Sequence, residues 1–348
     1  MNSITTATVS GADTTPTAAA ARGRTMKAVV RDRYGSADVL QLRDVDVPEV
    51  GVDDVLVRVH AAGIDRGAWH IMAGLPYLIR LVGYGVRRPK AAGLGSEVAG
   101  VVAGVGGQVT GLRPGDSVYG TARASFAEYS LARPDRLARM PANLTFEQAA
   151  AVPVSAVTAL QAIRDRGRVQ AGQRVLVVGA SGGVGTFAVQ IAKAVGATVT
   201  GVSSTAKVDL VRSLGADHVI DYEHAAITDG EQRYHVVLDI GGNRPLSALR
   251  RVLTRDGTLV IVGGEGGGRW TGGIHRQLHA TVLSPFVRQR LGTFIAKENS
   301  ADLDALRVLI ESGAVTPVID RVVALHEAPD AIRDLAGGHV RGKIVIAP

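Results

Sequence analysis

Read for the spacing of apolar positions, the chain changes character near residue 151. Before that point short apolar runs alternate with polar residues and are cut by Gly and Pro. "VLVRVHAAG" (55–63) has the period of two of a half-buried strand, and "SEVAGVVAGVG" and "GDSVYG" continue it, so this part is predicted to be mostly β. From residue 152 the period changes to strands alternating with helices, with strands predicted at 174–178, 198–202, 218–220, 236–240 and 258–262. The helix after the first of these places Val184, Ala188, Ile191 and Val195 on one face, the spacing of a helix lying on a sheet. Repeated βα units with right-handed crossovers predict a parallel, doubly wound sheet. A helix at 303–312 and strands near 318–323 and 343–346 then return the chain to its first half. The expected class is α/β, with residues 26–151 and 299–348 forming one mostly-β domain and 152–298 the doubly wound one. Residues 1–25 are Thr/Ala-rich, lack the apolar core of a secretory signal, and are expected to be a disordered leader on a cytoplasmic protein.

Composition narrows the class. With 348 residues, 46% of them hydrophobic, the chain can bury a core in each of two domains. The formal net charge is +7, but Lys and Arg are scattered, without the basic block of a nucleic-acid partner. No cysteine is present, which excludes disulfides and every thiolate metal site. No apolar run approaches the roughly 18 residues of a membrane-spanning helix.

The candidate chemistry starts in "VLVVGASGGVG", where Ala180-x-Gly182-x-x-Gly185 sits between a predicted strand and a predicted helix. In that context the spacing is a dinucleotide fingerprint: Gly182 admits the pyrophosphate to the backbone, and Gly185 lets helix and strand pack closely. Ala180, Ser181, Gly182, Gly183 and Val184 are therefore candidate cofactor residues, with the helix N-terminus facing the phosphates. The next strand ends in Ser203-Ser204-Thr205, where an NAD site usually carries an acid for the ribose 2′-hydroxyl. Hydroxyls at Ser203 and Ser204, the charge of Lys207 and the phenol of Tyr222 suit a 2′-phosphate instead, so the expected cofactor is NADPH. A solvated polar turn is the plainer alternative.

Further motifs follow in order: "MKAVV", "LVRVHAAGID", "LRPGDSVYG", "FAEYS", "ANLTFEQAAAVPVSAVTAL", "SLGADHVIDY" and "GHVRGKIVI". With the glycine turn they make residues 26–348 resemble the medium-chain dehydrogenase/reductase superfamily, on its quinone oxidoreductase (zeta-crystallin-like) branch. The resemblance implies a GroES-like catalytic domain around an inserted Rossmann domain, with the active site between them. It implies further cofactor contacts at Thr158, at Gly242 beside Gly241 and Asn243, at Gly263 and Gly264, and at His339, Val340 and Arg341. A homodimer is common in such relatives. Zinc members hold their metal at positions that here read Asp65, Gly95-Ser96-Glu97 and Val154 or Ser155, a set unsuited to zinc, and the gap at 121–125 leaves no room for a structural zinc lobe. No metal is expected.

Without a Lewis acid, hydride delivery to a conjugated acceptor is easier than oxidation of an unactivated alcohol, because a quinone or enone spreads the arriving charge over its own π-system. An NADPH-dependent reductase of a quinone or α,β-unsaturated carbonyl is the expectation. A metal-free alcohol or aldehyde dehydrogenase and a non-catalytic NADPH-binding protein remain alternatives. In relatives the turn after "AAGI" carries substrate contacts; here it reads Asp65-Arg66-Gly67-Ala68-Trp69-His70. His70, with Asp65 and Trp69 beside it, is the candidate proton donor, or else a histidine that only bonds at the domain seam. Asp65 is left to orient His70 or Arg66 or to bond turn amides. The long segment 74–93 reads as a lid with Tyr77 and Tyr84 toward substrate, or as a surface helix. The apolar and basic stretch 273–291 reads as the other side of the cleft, a dimer contact, or a membrane-surface helix.

Overall fold

The computed structural model describes residues 23–264 and 268–348, so most of the leader, 1–22, lies outside the described residues. The first half runs β1 (Thr25–Val30), β2 (Gln41–Asp46), β3 (Val55–Ile64), α1 (Arg66–Ala73), β4 (Glu97–Val105), β5 (Ser117–Thr121), β6 (Tyr129–Ala132), β7 (Leu137–Arg139), α2 (Phe146–Ala150) and α3 (Pro153–Gln161). The second runs β8 (Arg174–Val178), α4 (Gly183–Ala194), β9 (Thr198–Ser203), α5 (Val208–Ser213), β10 (His218–Asp221), β11 (Tyr234–Asp239), α6 (Leu246–Arg251), β12 (Leu253–Ile261), α7 (Ile274–Leu283) and β13 (Arg290–Thr293). The chain then returns through α8 (Ser300–Glu311), β14 (Ile319–Ala324), α9 (Ala328–Gly337) and β15 (Lys343–Ala347).

Among the described residues the second half is a six-stranded sheet in the order β10-β9-β8-β11-β12-β13. Its neighbouring strands are parallel throughout, as the alternating pattern required. The edge strand β13 is an addition: its four residues lie in a stretch whose apolar and basic mixture has no period of two. The first half closes a seven-stranded sheet in which β15 pairs antiparallel with β3, so the chain's two ends are bonded together.

Two expected faces are different in the fold. β3 was expected to be half-buried, but nearly all of it is covered and Arg58 is its one exposed residue, because β4, β6 and β15 pair along it and α2 packs over it. α4 buries every residue from Gly185 to Ala192 instead of one stripe, while Val195 is outside. The reason is a layer on each side: α4 lies on β8 and also against α3. Its polar Gln190 is satisfied inside, donating to Thr316 O at 3.0 Å and accepting from Thr316 N at 2.8 Å. Gly185 fits because a Cβ there would run into the carbonyl of Gly179. One hydrophobic core crosses both halves, joining Ala61, Ala99 and Tyr119 to Val175, Phe187 and Leu238 and to Leu303 of α8.

At the seam lies a buried ion pair. Glu97 opens β4 with no exposure, and its carboxylate accepts from the ammonium of Lys343, the first residue of β15, itself 2% exposed. The other carboxylate oxygen accepts from Val154 N at 2.9 Å, supplying the acceptor that the unassisted N-terminus of α3 lacks. Gly63 must stay bare, since a Cβ there would strike this carboxylate and the carbonyl of Ala150. Burial pushes the Glu97 carboxyl up to about 7 against the opposing pull of Lys343. Breaking a buried pair from one side leaves a charge without compensation, so Lys343→Met is expected to cost about 3–5 kcal/mol in urea unfolding. The double replacement Glu97→Leu with Lys343→Met should recover most of that loss; a single replacement within 1 kcal/mol of wild type, a loss of ~0–1 kcal/mol, would contradict the pair's role.

Candidate active site

The C-terminal ends of β8, β9, β11 and β12 open on a cleft of about 840 Å³, whose far wall is the return segment and the start of α1. That volume lies within the range of ligand sites, roughly 300–1,000 Å³. Its position at the carboxyl edge of a parallel sheet is where doubly wound folds bind nucleotides.

The glycine turn forms the floor, with Ser181, Gly182, Gly183 and Val184 lining the cleft. Gly182 caps α4 in extended conformation, and a Cβ on it would meet nothing closer than Gly179 O at 3.7 Å. The turn therefore shows open backbone to the cleft, beside the helix amides that lack intrahelical partners. Ala180, by contrast, is fully buried beneath the turn. The turn is tied to the other half, because Gly342 N donates to Ser181 O at 2.9 Å and Gly182 bridges Gly342. Thr158 also lines the cleft, its hydroxyl donating to Val154 O at 2.7 Å.

On the β9 side Ser203, Ser204, Lys207 and Tyr222 come together as expected. Ser203 is buried and its hydroxyl donates to Ser204 O at 3.3 Å, whereas Tyr222 is 51% exposed. Thr205 turns away: its hydroxyl lies 2.6 Å from Asp221 and 2.7 Å from Glu223. An acid does stand nearby, then, but it is Asp221 of the next strand. The Thr205 hydroxyl, the Glu223 amide and His224 hold its carboxyl below the ordinary range, away from the cleft lining. Lys207 donates to the carbonyls of Gly338 at 3.0 Å and Val340 at 2.9 Å. Burial, and then the charge of Arg341, lower its pKa.

The return segment splits. Val340 is buried and lines the cleft, while His339 is exposed and Arg341 reaches sideways to Ala206 O at 3.0 Å. Gly263 lines the cleft; Gly242 sits just behind it, its amide donating to Asp239 at 3.3 Å, and the carbonyl of Gly264 accepts from Gly273.

The turn before α1 is divided in the same way. Asp65 lines the cleft, with one oxygen accepting from Ala68 N at 2.8 Å as the cap of α1 and the other from Ser96 at 3.1 Å. Of the roles left open for it, bonding a turn amide is the one observed. Trp69 and His70 lie on α1 outside the lining, with their rings edge-on at 4.9 Å. The Nδ1 of His70 donates to Leu75 O at 2.8 Å. Tyr77 and Tyr84 are also outside the lining. Tyr77 packs on Trp270 at 5.2 Å, and Tyr84 is 42% exposed, its carbonyl accepting from Tyr34. The segment carrying them turns helical over 78–84 and ends in a π-turn, Arg80–Tyr84, and neither tyrosine lines the cleft. The stretch 273–291 forms α7, a short turn and the start of β13.

Three basic residues in the lining were not singled out by sequence pattern: Arg66, which donates to Leu335 O at 2.8 Å and lies over the Trp69 ring, Arg244 and Lys343. A lone Lys or Arg in a strand or turn ordinarily reads as solvated, and only the fold reveals otherwise.

The donor set does not fit zinc. Asp65 caps a helix, Glu97 is committed to Lys343 and Val154 N, and Ser155 is a poor ligand. Among the described residues no group of three or more His, Asp or Glu is placed to hold a metal ion, and no helix is long and apolar enough to cross a membrane.

Comparison with known proteins agrees with the two-part architecture. Residues 51–162 match the alcohol dehydrogenase GroES-like domain and residues 214–346 the zinc-binding dehydrogenase family. The chain is 34% identical over 339 residues to a 2-methylene-furan-3-one reductase of Solanum lycopersicum, covering 93% of this chain and 79% of the relative. It is 34% identical to an NADPH-dependent alkenal/one oxidoreductase, chloroplastic, of Arabidopsis thaliana, covering 95% and 82%. The quinone oxidoreductase of Coxiella burnetii superposes with a TM-score of 0.80 at 28% identity, covering 93% of this chain and all of that one. Sequence identity of this extent over nearly the whole chain, with a solved structure that superposes along its full length, places the chain in the medium-chain dehydrogenase/reductase superfamily as an NAD(P)H oxidoreductase.

Proposed function

We propose that the protein is a zinc-independent reductase that takes hydride from NADPH and delivers it to a quinone or an α,β-unsaturated carbonyl. The observation that carries this reading is the chemistry of the cleft beside β9. Ser204, Lys207 and Tyr222 offer two hydroxyls and an ammonium there, and the acids beside them, Asp221 and Glu223, both lie against Thr205 outside the lining. A 2′-phosphate gains charge-assisted bonds in such a place, where a carboxylate would repel it. Although residues 214–346 match a family described as zinc-binding, the two carboxylates at the ligand positions of this chain are otherwise engaged and the third position offers only Val154 or Ser155. A conjugated acceptor fits that absence, and the names of the tomato and Arabidopsis relatives point to the same class.

Bound NADPH supplies the hydride; the protein's residues do the rest. The glycine turn and the first amides of α4 hold the pyrophosphate, Ser204, Lys207 and Tyr222 the 2′-phosphate, and Thr158 and Gly263 flank the far end of the cleft. Hydride goes to the electron-poor carbon of the acceptor, whose π-electrons shift to oxygen. One proton then completes the reduction, whether the acceptor is an enone or a quinone. In this reading His70, whose Nδ1 donates to Leu75 O, is the proton source.

Three outcomes are expected. Lys207→Ala should weaken NADPH about 10- to 100-fold, the worth of a charged hydrogen bond, and NADH only a few-fold through the lost carbonyl contacts. Equal losses in calorimetry would remove the 2′-phosphate role. His70→Phe should lower kcat about 100-fold while leaving the NADPH Kd within about two-fold; an unchanged kcat would make His70 a seam residue. In excess chelator, NADPH oxidation by quinones and enones should persist and exceed that by aldehydes. Activity that appears only on adding zinc, or NADPH binding without turnover on any acceptor, would contradict the reading.

A further inference from the structure

The lining of the cleft stops short of a residue that holds two of its walls. Arg276, in the first turn of α7, is 9% exposed and is not itself a lining residue. Its guanidinium pairs with Asp239, the fully buried last residue of β11. The same fork donates to Arg244 O at 2.9 Å and to Gly263 O at 3.2 Å. Those carbonyls belong to the loops that follow β11 and β12, and both loops line the cleft. Asp239 works from the other side: its carboxylate accepts from Gly242 N, and its own carbonyl accepts from Val262 N and Gly263 N. One buried pair therefore sets the position of both loops.

The segment leading into α7 continues toward the other half. Tyr77 N donates to Arg269 O at 2.8 Å and Leu78 N to Trp270 O at 3.4 Å. The Tyr77 and Trp270 rings meet edge-on at 5.2 Å, with Arg80 over Tyr77 at 4.7 Å. Gly272 faces Pro76 so closely that a Cβ would lie 3.2 Å from its ring, and Gly273 N donates to Gly264 O. The start of α7 is thus where the two cofactor-side loops meet the segment that follows α1 and its His70.

Stability alone is a poor reason for this arrangement. A buried ion pair is often no more stabilising than an apolar pair of equal volume. A cation in the first turn of a helix also opposes the helix dipole. What an apolar pair cannot do is bond one carboxylate and two carbonyls at once, and a lysine, lacking the planar fork, cannot reproduce that geometry. We propose that Arg276 is a positioning residue of the reductase, fixing the 241–245 and 262–264 loops against the cofactor at the point where the start of α7 meets segment 76–80. This rests on the reading of the cleft as an NADPH site.

The test uses the full chain, with NADPH itself as the probe. For Arg276→Lys, which keeps the charge facing Asp239, titration calorimetry should show NADPH weakened about 10-fold with a melting temperature close to wild type. Amide hydrogen exchange should quicken in peptides covering 241–245, 262–264 and 76–80 and stay unchanged in β8. In the double variant Asp239→Leu, Arg276→Met an apolar pair should restore thermal stability without restoring NADPH affinity. Wild-type affinity in Arg276→Lys, or a double variant that recovers binding together with stability, would reduce Arg276 to a core contact and overturn the proposal. Exchange that quickens throughout the chain would do the same. Were the wild type to bind no nicotinamide nucleotide, the reading of the cleft would fail and this inference with it; wild-type binding alongside an indifferent Arg276→Lys would remove this inference alone.

Discussion

Lys343 has to neutralise Glu97 where almost no water reaches, and much of the seam is arranged around that necessity. Glu97 enters from β4 and Lys343 from β15, so the strand that closes the chain must pair with β3 for the charges to meet. The carboxylate also takes the first free amide of α3, which orients the helix carrying Thr158. The stem of Lys343 runs against Gly183, and its neighbour Gly342 bonds the glycine turn. A single pair thus holds the closing strand, α3 and the dinucleotide turn in one geometry. Mutual attraction and the Val154 amide offset only part of the cost of burying the two charges, and the Glu97 carboxyl is still pushed up to about 7.

That geometry bears on the chemistry. The pair commits Glu97 to Lys343 and Val154, and Asp65 is committed to capping α1 and to Ser96, so neither carboxylate of the seam is spare. Arginine and lysine are prominent in the lining: Arg66, Lys207, Arg244 and Lys343 all reach it. Such a cleft favours an anionic dinucleotide.

The halves are not independent bodies. Their core is continuous, with Tyr119 of β5 donating to Leu303 O of α8 at 2.6 Å and packing in the same cluster as Phe187 of α4. Gln161 and Gln190 bridge inward-facing segments with their amides satisfied on both sides. Across the cleft mouth the contacts are different in kind. Lys207 meets Gly338 and Val340, Arg341 meets Ala206, and Tyr77 meets Trp270, all through long side chains or single backbone bonds near the surface. The structure is tight at the base of the cleft and lightly fastened at its rim, the distribution expected where a ligand must enter.

By itself the sequence determined the features that depend on neighbours along the chain. The alternation of strand and helix beyond residue 152 follows from apolar periodicity. The turn at Gly182 and Gly185 follows from the spacing of residues that lack a Cβ, and the lack of thiolate ligands from the absence of cysteine. It also located the polar end of β9, where Ser204, Lys207 and Tyr222 do converge. Tertiary structure decided which partner each long polar side chain takes. Thr205 turns to Asp221, Lys207 reaches the return segment, Arg276 finds Asp239, and Lys343 meets a carboxylate 246 positions away. It also covered both faces of β3 and both sides of α4. The reason is one of range. Backbone preference and hydrophobic period act within a turn or two of chain, whereas a hydrogen bond needs its acceptor within about 3 Å, and only the folded chain brings distant groups that close.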